Sequence, residues 1–307
     1  LSKILRKKRF LNGSINFERE EVKFILDKHN NPIEVFFKEP TDTNHLIEEF
    51  MLTANKIVAK KIGFTKKNEK EKSFIYRIHD KPDQDKINSL NNIIKKFGYS
   101  INQSNLKNLS TSLNNLLKKI KNKKESNLIE TLTIRSMSKA IYSTNNIGHY
   151  GLNFNYYSHF TSPIRRYSDL VVHRLIEKYI NGEKSVSKEK LESICKHISE
   201  KEKESTMAER DSIKYMQTKF LKNKIGEKFN GIITGITEWG IYVELLKNKC
   251  EGLVRINNIK DDYYVFDKKN YSIIGKSKNK KYQLGDKVRI KIKNIDINKK
   301  QIDFVLI

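Results

Sequence analysis

The chain has 307 residues and a mass of 36.1 kDa, room for two domains at the usual size of roughly 100–200 residues each. Charged residues make up 32% and the hydrophobic set 37%, with a mean hydropathy of -0.66, and no run approaches the roughly 20 apolar residues that a spanning helix needs. Lysine and arginine outnumber aspartate and glutamate by 61 to 36, a formal charge of +25 that favours a polyanionic partner, although the same excess arises where lysine is simply the common surface residue.

In chain order, the first thirty-odd residues read as strand material, in INFEREEVKFILD and then PIEVFFKE. Leu46, Ile47, Phe50, Met51, Ala54, Ile57 and Val58 then recur at helical spacing behind the capping candidates Asp42, Thr43 and Asn44. Ile87, Leu90, Ile93, Ile94 and Phe97 predict a second helix that stops at Gly98. Residues 103–124, rich in Asn, Lys and Leu, and residues 128–141 read as two more helices. Residues 143–168 break the pattern with glycines, aromatics and a proline, and mark a loop-rich site. Helical periodicity resumes at Leu170, Val171, Leu175, Ile176 and Tyr179 and ends at Gly182. A long polar helix follows from its cap Ser187 to Lys222.

After Gly226 the period becomes two. FNGIITGI, GIYVELL, GLVRI, KVRIKIKNI and QIDFVLI predict strands with glycine turns, as a closed OB-type barrel requires. The expected class is α+β, with a mixed domain over 1–224 and an all-β barrel over 225–307. Cys195 and Cys250 lack metal or redox spacing, and LSKILRKKRF does not read as a secretory leader, so a reducing, cytoplasmic setting is expected.

The segment GHYGLNFNYYSHFTSPIRRYSDLVVHR, residues 148–174, carries the chemistry. It gathers His149, His159 and His173, the pair Arg165–Arg166, and Asp169 among tyrosines. Five of the eleven arginines, Arg135, Arg165, Arg166, Arg174 and Arg210, fall between 135 and 210. In a chain whose common cation is lysine, an arginine pair points to a planar bidentate fork, for which phosphate is the natural ligand. Aromatic rings beside it are suited to stacking on unpaired bases. The structural alternatives stay open: the histidines as internal hydrogen-bonding groups, and Arg166 or Arg174 as partners of Asp169 or of helix carboxylates. In the barrel, Trp239, Tyr242 and Phe229 are candidate base-stacking residues, or else they fill the core. The Lys276–Lys281 run reads as a solvated loop that adds non-specific affinity.

The run Tyr157-Ser158-His159-Phe160-Thr161-Ser162-Pro163-Ile164-Arg165-Arg166-Tyr167, then Asp169 and His173, resembles the signature of the ribonuclease II / ribonuclease R family of exoribonucleases, closer to its ribonuclease R branch. Arg77-Ile78-His79-Asp80-Lys81-Pro82, Leu46-Ile47-Glu48-Glu49, Arg135-Ser136-Met137 and Met207-Ala208-Glu209-Arg210 are similar to further family blocks. Asp261-Asp262-Tyr263-Tyr264 and Ile302-Asp303-Phe304 resemble the S1-type RNA-binding domain that closes these enzymes.

The resemblance implies an RNB catalytic domain that hydrolyses single-stranded RNA processively from the 3′ end to nucleoside 5′-monophosphates, with Mg²⁺ ions held by clustered aspartates. It implies that Arg165 grips the scissile phosphate and that Glu209 shapes the pocket for the 3′ end. Arg166, Tyr167 and His159 become supporting RNA contacts, and Asp169 a group that caps or orients the next helix. The family's tight aspartate cluster has no counterpart here; Asp80, Asp83 and Asp85 lie in another block and Asp261–Asp262 in the barrel. The expectation is therefore a C-terminal portion of such an enzyme, inactive alone, without metal ligands and with strands near its start that want an absent partner. Single-stranded RNA is the expected partner, with neither a membrane nor a stable protein partner. The competing expectation is a non-catalytic RNA-binding protein derived from such an enzyme.

Overall fold

A computed structural model gives the fold, and the structure describes residues 1–15, 21–64, 72–121, 123, 125–267 and 271–307. The chain opens with helix α1 (Ser2–Leu11), where strand material was expected. Part of the INFEREEVKFILD run, residues 16–20, lies outside the described residues. The remainder forms the antiparallel hairpin β1 (Glu21–Leu26) and β2 (Pro32–Lys38). Helix α2 (Asp42–Gly63) is capped one residue earlier than expected: Thr41 Oγ1 accepts from Asn44 N and Asn44 Oδ1 accepts from Thr41 N, a reciprocal capping box.

The apolar stripe of α2 is not its buried face. Glu49, Asn55 and Ala59 are buried, whereas Leu46, Ile47, Phe50 and Ile57 are exposed. Burial of the carboxylate has a cause: Arg9 Nε donates to both Glu49 oxygens at 3.0 and 3.3 Å, while Arg9 Nη1 reaches Ser14 Oγ and Nη2 reaches Glu48. This ion pair fastens α1 to α2.

Strand β3 (Tyr76–Ile78) leads to α3 (Gln84–Lys95), whose first amides bond to Asp83 Oδ1. Helices α4 (Leu106–Ile120) and α5 (Ser126–Ser136) follow; residues 122 and 124 of the helical stretch expected over 103–124 lie outside the described residues. The helix expected to reach Ile141 ends at Ser136, because Ile141–Ser143 is strand β4, zipped antiparallel to β3. Helix α6 (Tyr167–Ile180) and the 34-residue α7 (Lys188–Leu221), capped by Ser187, complete this part.

The remainder is a closed barrel of β5 (Lys228–Thr237), β6 (Gly240–Leu245), β7 (Glu251–Arg255), and two strands near the C-terminus. Between them stands a small sheet that the sequence reading missed: β8 (Tyr264–Asp267), β9 (Ser272–Gly275) and β10 (Lys281–Gln283). Strands this short show no readable period. The expected Lys276–Lys281 loop is the β9–β10 turn, and its Lys280 pairs with Asp261 at 2.9 Å. Strands β11 (Lys287–Asp296) and β12 (Gln301–Leu306) close the barrel in the order β11-β12-β7-β6-β5. Ile233, Ile241, Val243, Val254, Ile290 and Phe304 fill it, and α5 leans on β5. Gly240 turns β5 into β6 at φ +148°, where a Cβ would stand 2.1 Å from the Val254 carbonyl oxygen.

The Arg9–Glu49 pair makes a prediction. Arg9→Met leaves the buried Glu49 carboxylate with Arg6, 3.9 Å away, and should cost about 3 kcal/mol, whereas Arg9→Met with Glu49→Leu should recover most of it. Urea denaturation of the single and double variants checks both; equal losses would contradict it.

Candidate nucleic-acid interface

The segment between β4 and α6 is irregular apart from a 3₁₀ turn at Tyr150–Leu152, and its position is fixed by neighbours on every side. Strand β3 and the residue before it hold its later half: Arg77 N donates to Tyr157 O at 2.9 Å and Ser158 Oγ to Ile75 O at 2.6 Å. From α2, the buried Asn55 accepts from Phe160 N at 2.9 Å through Oδ1 and donates to Tyr157 Oη at 3.2 Å through Nδ2. From α6, His173 Nε2 lies 2.9 Å from Phe160 O, with its ring stacked on Phe160 at 4.2 Å.

The far end is held by Asp169, which has no exposed surface. Its Oδ1 accepts from Ser162 N at 2.8 Å and Arg166 Nη2 at 2.8 Å, and its Oδ2 from Ser168 Oγ at 2.9 Å. Asp169 thus orients the loop and the first turn of α6. Pinned in this way, the loop projects its tip. Ile164 is fully exposed, Arg165 and Tyr167 are exposed, and Arg165 has no ion pair or side-chain hydrogen bond among the described residues.

Three polar atoms of this segment, Tyr150 Oη, Thr161 Oγ1 and Arg166 Nε, are buried with no protein partner among the described residues, the last two of them beside the tip. Buried donors of this kind are rare enough to need an explanation. Arg166 therefore has a mixed position: one nitrogen is spent on Asp169 and another remains unsatisfied.

His159 lies deeper than an RNA contact on the tip would. Its Nδ1 is 2.7 Å from Tyr142 Oη, and its ring meets Tyr142 and Tyr157 edge to face. Burial, with Arg166, Arg77 and Arg165 nearby, lowers its pKa to about 3. His149 is likewise lowered to about 3 by burial and by His79, so both rings are neutral at pH 7. Burial lowers His79 too, and its Nδ1 accepts from Gly151 N at 3.0 Å; a Cβ on Gly151 would stand 2.9 Å from that nitrogen. Behind this layer, Arg77 forms a two-point ion pair with Glu202 of α7 at 2.6 and 2.8 Å and lies over the Tyr142 ring. Asn55 and Glu202 were not singled out in the sequence. The one available signal was a polar residue, Asn55, on a helix assumed to pack with its apolar stripe.

Glu209 lies on the exposed middle of α7, and no hydrogen bond or ion pair among the described residues joins it to Arg165. Among the described residues no three His, Cys, Asp or Glu side chains are placed to hold a metal ion, so these residues do not fit a metal centre. Both cysteines are buried and their thiols are pushed up to about 12, which leaves them unreactive.

On the barrel, Trp239 is exposed at the β5–β6 turn, and Tyr242 faces outward on β6 between buried Ile241 and Val243. Phe229 takes the inward alternative: it is opposite buried Ile290 in register and packs against the core. Arg255 of β7, missed in the sequence, is opposite Gly240, the residue that follows Trp239, and the next residue, Ile256, donates its N–H to Trp239 O at 3.0 Å. The Arg255 guanidinium reaches Asp303 at 3.4 Å.

The RNB domain family matches residues 1–182, and the S1 RNA binding domain matches residues 222–306. Ribonuclease R of Aquifex aeolicus is 36% identical over 314 residues and that of Thermotoga maritima 38% over 315, each across 100% of this chain and 43% of the relative. The apo form of Mycoplasma genitalium RNase R superposes with a TM-score of 0.90 at 30% identity, over 100% of this chain and 48% of that one. The same RNase R in complex with ribose methylated single-stranded RNA gives the same TM-score, identity and coverage. The chain thus spans less than half the length of these relatives. No helix among the described residues is long and apolar enough to cross a membrane.

The neutral histidines fix a pH dependence. Their folded pKa values lie below the unfolded value of about 6.5, so the unfolded chain binds more protons as pH falls from there towards 3. Stability is full above pH 6.5 and declines below it. Urea midpoints taken from pH 7 to 5 should fall, and His149→Gln should flatten the decline; an unchanged slope would contradict this reading.

Proposed function

The chain belongs to the RNB family, and from that premise we propose that it serves an exoribonuclease that degrades single-stranded RNA from the 3′ end, processively, to nucleoside 5′-monophosphates. The observation that carries this is the Asp169-pinned loop, on which Arg165 is exposed without an ion pair or side-chain hydrogen bond among the described residues, while Arg166 Nε and Thr161 Oγ1 have no partner among them. Such a loop suits a phosphodiester. Arg165 takes two phosphate oxygens through its planar fork and offsets the charge that grows on them as the bond breaks. Arg166 Nε and the Thr161 hydroxyl supply further donors at its edge, and Tyr167 offers a ring for stacking. His159, neutral and tied to Tyr142, shapes the wall rather than moving a proton. Glu209 is assigned to the pocket for the 3′ end.

The division falls at residue 224: an RNB part over 1–224 and an S1-type barrel over 225–307. In the barrel, Trp239 and Tyr242 are assigned to base stacking, Arg255 to a phosphate between them, and Phe229 to the core that supports their strands. The proposal includes a need for Mg²⁺, which rests on family likeness; no step is assigned to a metal, because the residues described here do not form its site. A cytoplasmic setting fits the buried free thiols. Catalysis is assigned to a longer protein of which these residues are part, so the intact mass of the native protein should lie near twice 36.1 kDa. A native mass near 36.1 kDa, with RNA binding and no cleavage, would support a non-catalytic RNA-binding protein instead.

The test is Arg165→Ala in the native-length protein, assayed on 3′-labelled single-stranded RNA with magnesium. Turnover should fall about a hundredfold or more while RNA affinity changes little. Equal loss of both would reduce Arg165 to a binding residue.

A further inference from the structure

Strand β11 carries a second feature that the aromatic face does not explain. Ile290 and Ile292 are buried in the barrel, so the alternate residues Lys287, Arg289 and Lys291 point outward, and all three are exposed. At about 3.4 Å per residue these cations recur roughly every 7 Å along a straight line. Lys293 is the extra residue of a bulge just beyond them, and its Nζ reaches Asn258.

None of the three has an acidic neighbour in register. Lys287 is opposite Ile232, Arg289 opposite Asn230, and Lys291 between Lys228 on β5 and Val305 on β12. The Lys291–Lys228 pair sets two like charges directly across adjacent strands, an arrangement that destabilises a sheet. Nearby carboxylates do not relieve it. Asp286 Oδ2 accepts from Gln283 N, and no ion pair among the described residues joins Asp286 or Glu227 to these cations. Elsewhere on the barrel, lysines and arginines do find partners, as Lys249 does in Glu244, Arg255 in Asp303, and Lys280 in Asp261. On this face the cations stand in a straight row with no ion pair among the described residues.

We infer that the outward face of β11, with Lys228 of β5, is a second RNA-binding surface that tracks the phosphate backbone without reading bases. The repulsion stored in the Lys228–Lys291 pair is released when a polyanion lies along the row. The face carries no exposed aromatic ring between its cations, so it offers charge without stacking. Strand β5 separates it from Tyr242 on β6, which makes it a distinct face of the barrel. RNA that stacks on Trp239 and Tyr242 can continue around β5 onto this row. The inference shares its ligand with the proposed function but needs no catalysis.

The test measures binding of a labelled oligouridylate to the 307-residue chain across a salt series. Each single-strand phosphate contact contributes about 0.7 to the slope of log affinity against log salt, so Lys287→Gln/Arg289→Gln/Lys291→Gln should flatten it by about 2. Lys107→Gln/Lys118→Gln/Lys119→Gln on α4 should leave the slope unchanged. An intact slope in the β11 triple variant, or an equal loss in the α4 control, would overturn the inference. Trp239→Ala/Tyr242→Ala separates this from the aromatic face: it should weaken binding with little change of slope. If only the β11 variant has an effect, the second surface stands and the stacking assignment fails; if only the aromatic variant does, the second surface fails. Lys228→Glu guards against a folding artefact. It turns the like-charged pair into an opposite one, so it should raise the urea midpoint while weakening RNA binding; a lowered midpoint or undiminished binding would count against the surface.

Discussion

The site depends on one carboxylate out of water. Asp169 has no exposed surface, and a charge in that position is tolerated only where hydrogen bonds replace its hydration. It receives them from a loop amide, an arginine and its own neighbour Ser168, and the same three bonds decide where the loop runs. The constraint then propagates. Because Arg166 is drawn inward to Asp169, its neighbour Arg165 points the other way, into solvent. Two adjacent arginines thereby acquire different work: one holds the frame, and the other stays available to a ligand. Asn55 and His173 hold the remaining stretch, so the exposed tip has a rigid base.

The second organising effect is desolvation. His149 and His159 lie among tyrosines and arginines, and both effects favour the neutral ring. Positive charge beside these rings therefore comes from Arg77, Arg165 and Arg166 and does not change across physiological pH. The buried ion pair Arg9–Glu49 and the half-buried pair Arg77–Glu202 do a different job, joining elements distant in sequence: α1 to α2, and β3 to α7. These contacts span 40 and 125 residues, and each partner alone looks like an ordinary surface charge.

That difference explains what the sequence made legible. Elements with a clear period were read correctly: α6 from Leu170 to Tyr179, α7 from its Ser187 cap, and the barrel strands from alternation around Ile241 and Val243. The loop at 143–168 was recognisable because glycine, proline and aromatics interrupt a helical pattern. Three things were not recognisable. Ser2–Leu11 has too many cations to show an apolar face, and its helix is held by the distant Glu49. The stripe on α2 misled because helical spacing tells which residues share a face and not which face is covered; Leu46 and Phe50 are exposed while Glu49 is buried. The inward turn of Phe229 depends on its register with Ile290, which no single strand reveals. Within the site, residue types identified the arginine pair, but only the fold divided its labour.

The exposed stretch of α7 has a dynamic consequence. The helix is about 50 Å long at 1.5 Å per residue, packed at both ends and bare from 203 to 210. At its N-terminal end Leu191, Cys195 and Ile198 are buried; at the other Leu221 enters the barrel core and Gln217 bonds to Lys249 O. The bare turns rest on their own backbone bonds and on local pairs such as Lys201–Glu204. Amide exchange with solvent should therefore be fastest in the middle of the helix and slowest at its ends, the reverse of the fraying expected of an isolated helix. Because α5 packs on β5 and the helices share one apolar core with the barrel, bending these turns would not by itself swing the barrel relative to the arginine loop; that packing, more than α7, sets how stiffly the two parts are coupled.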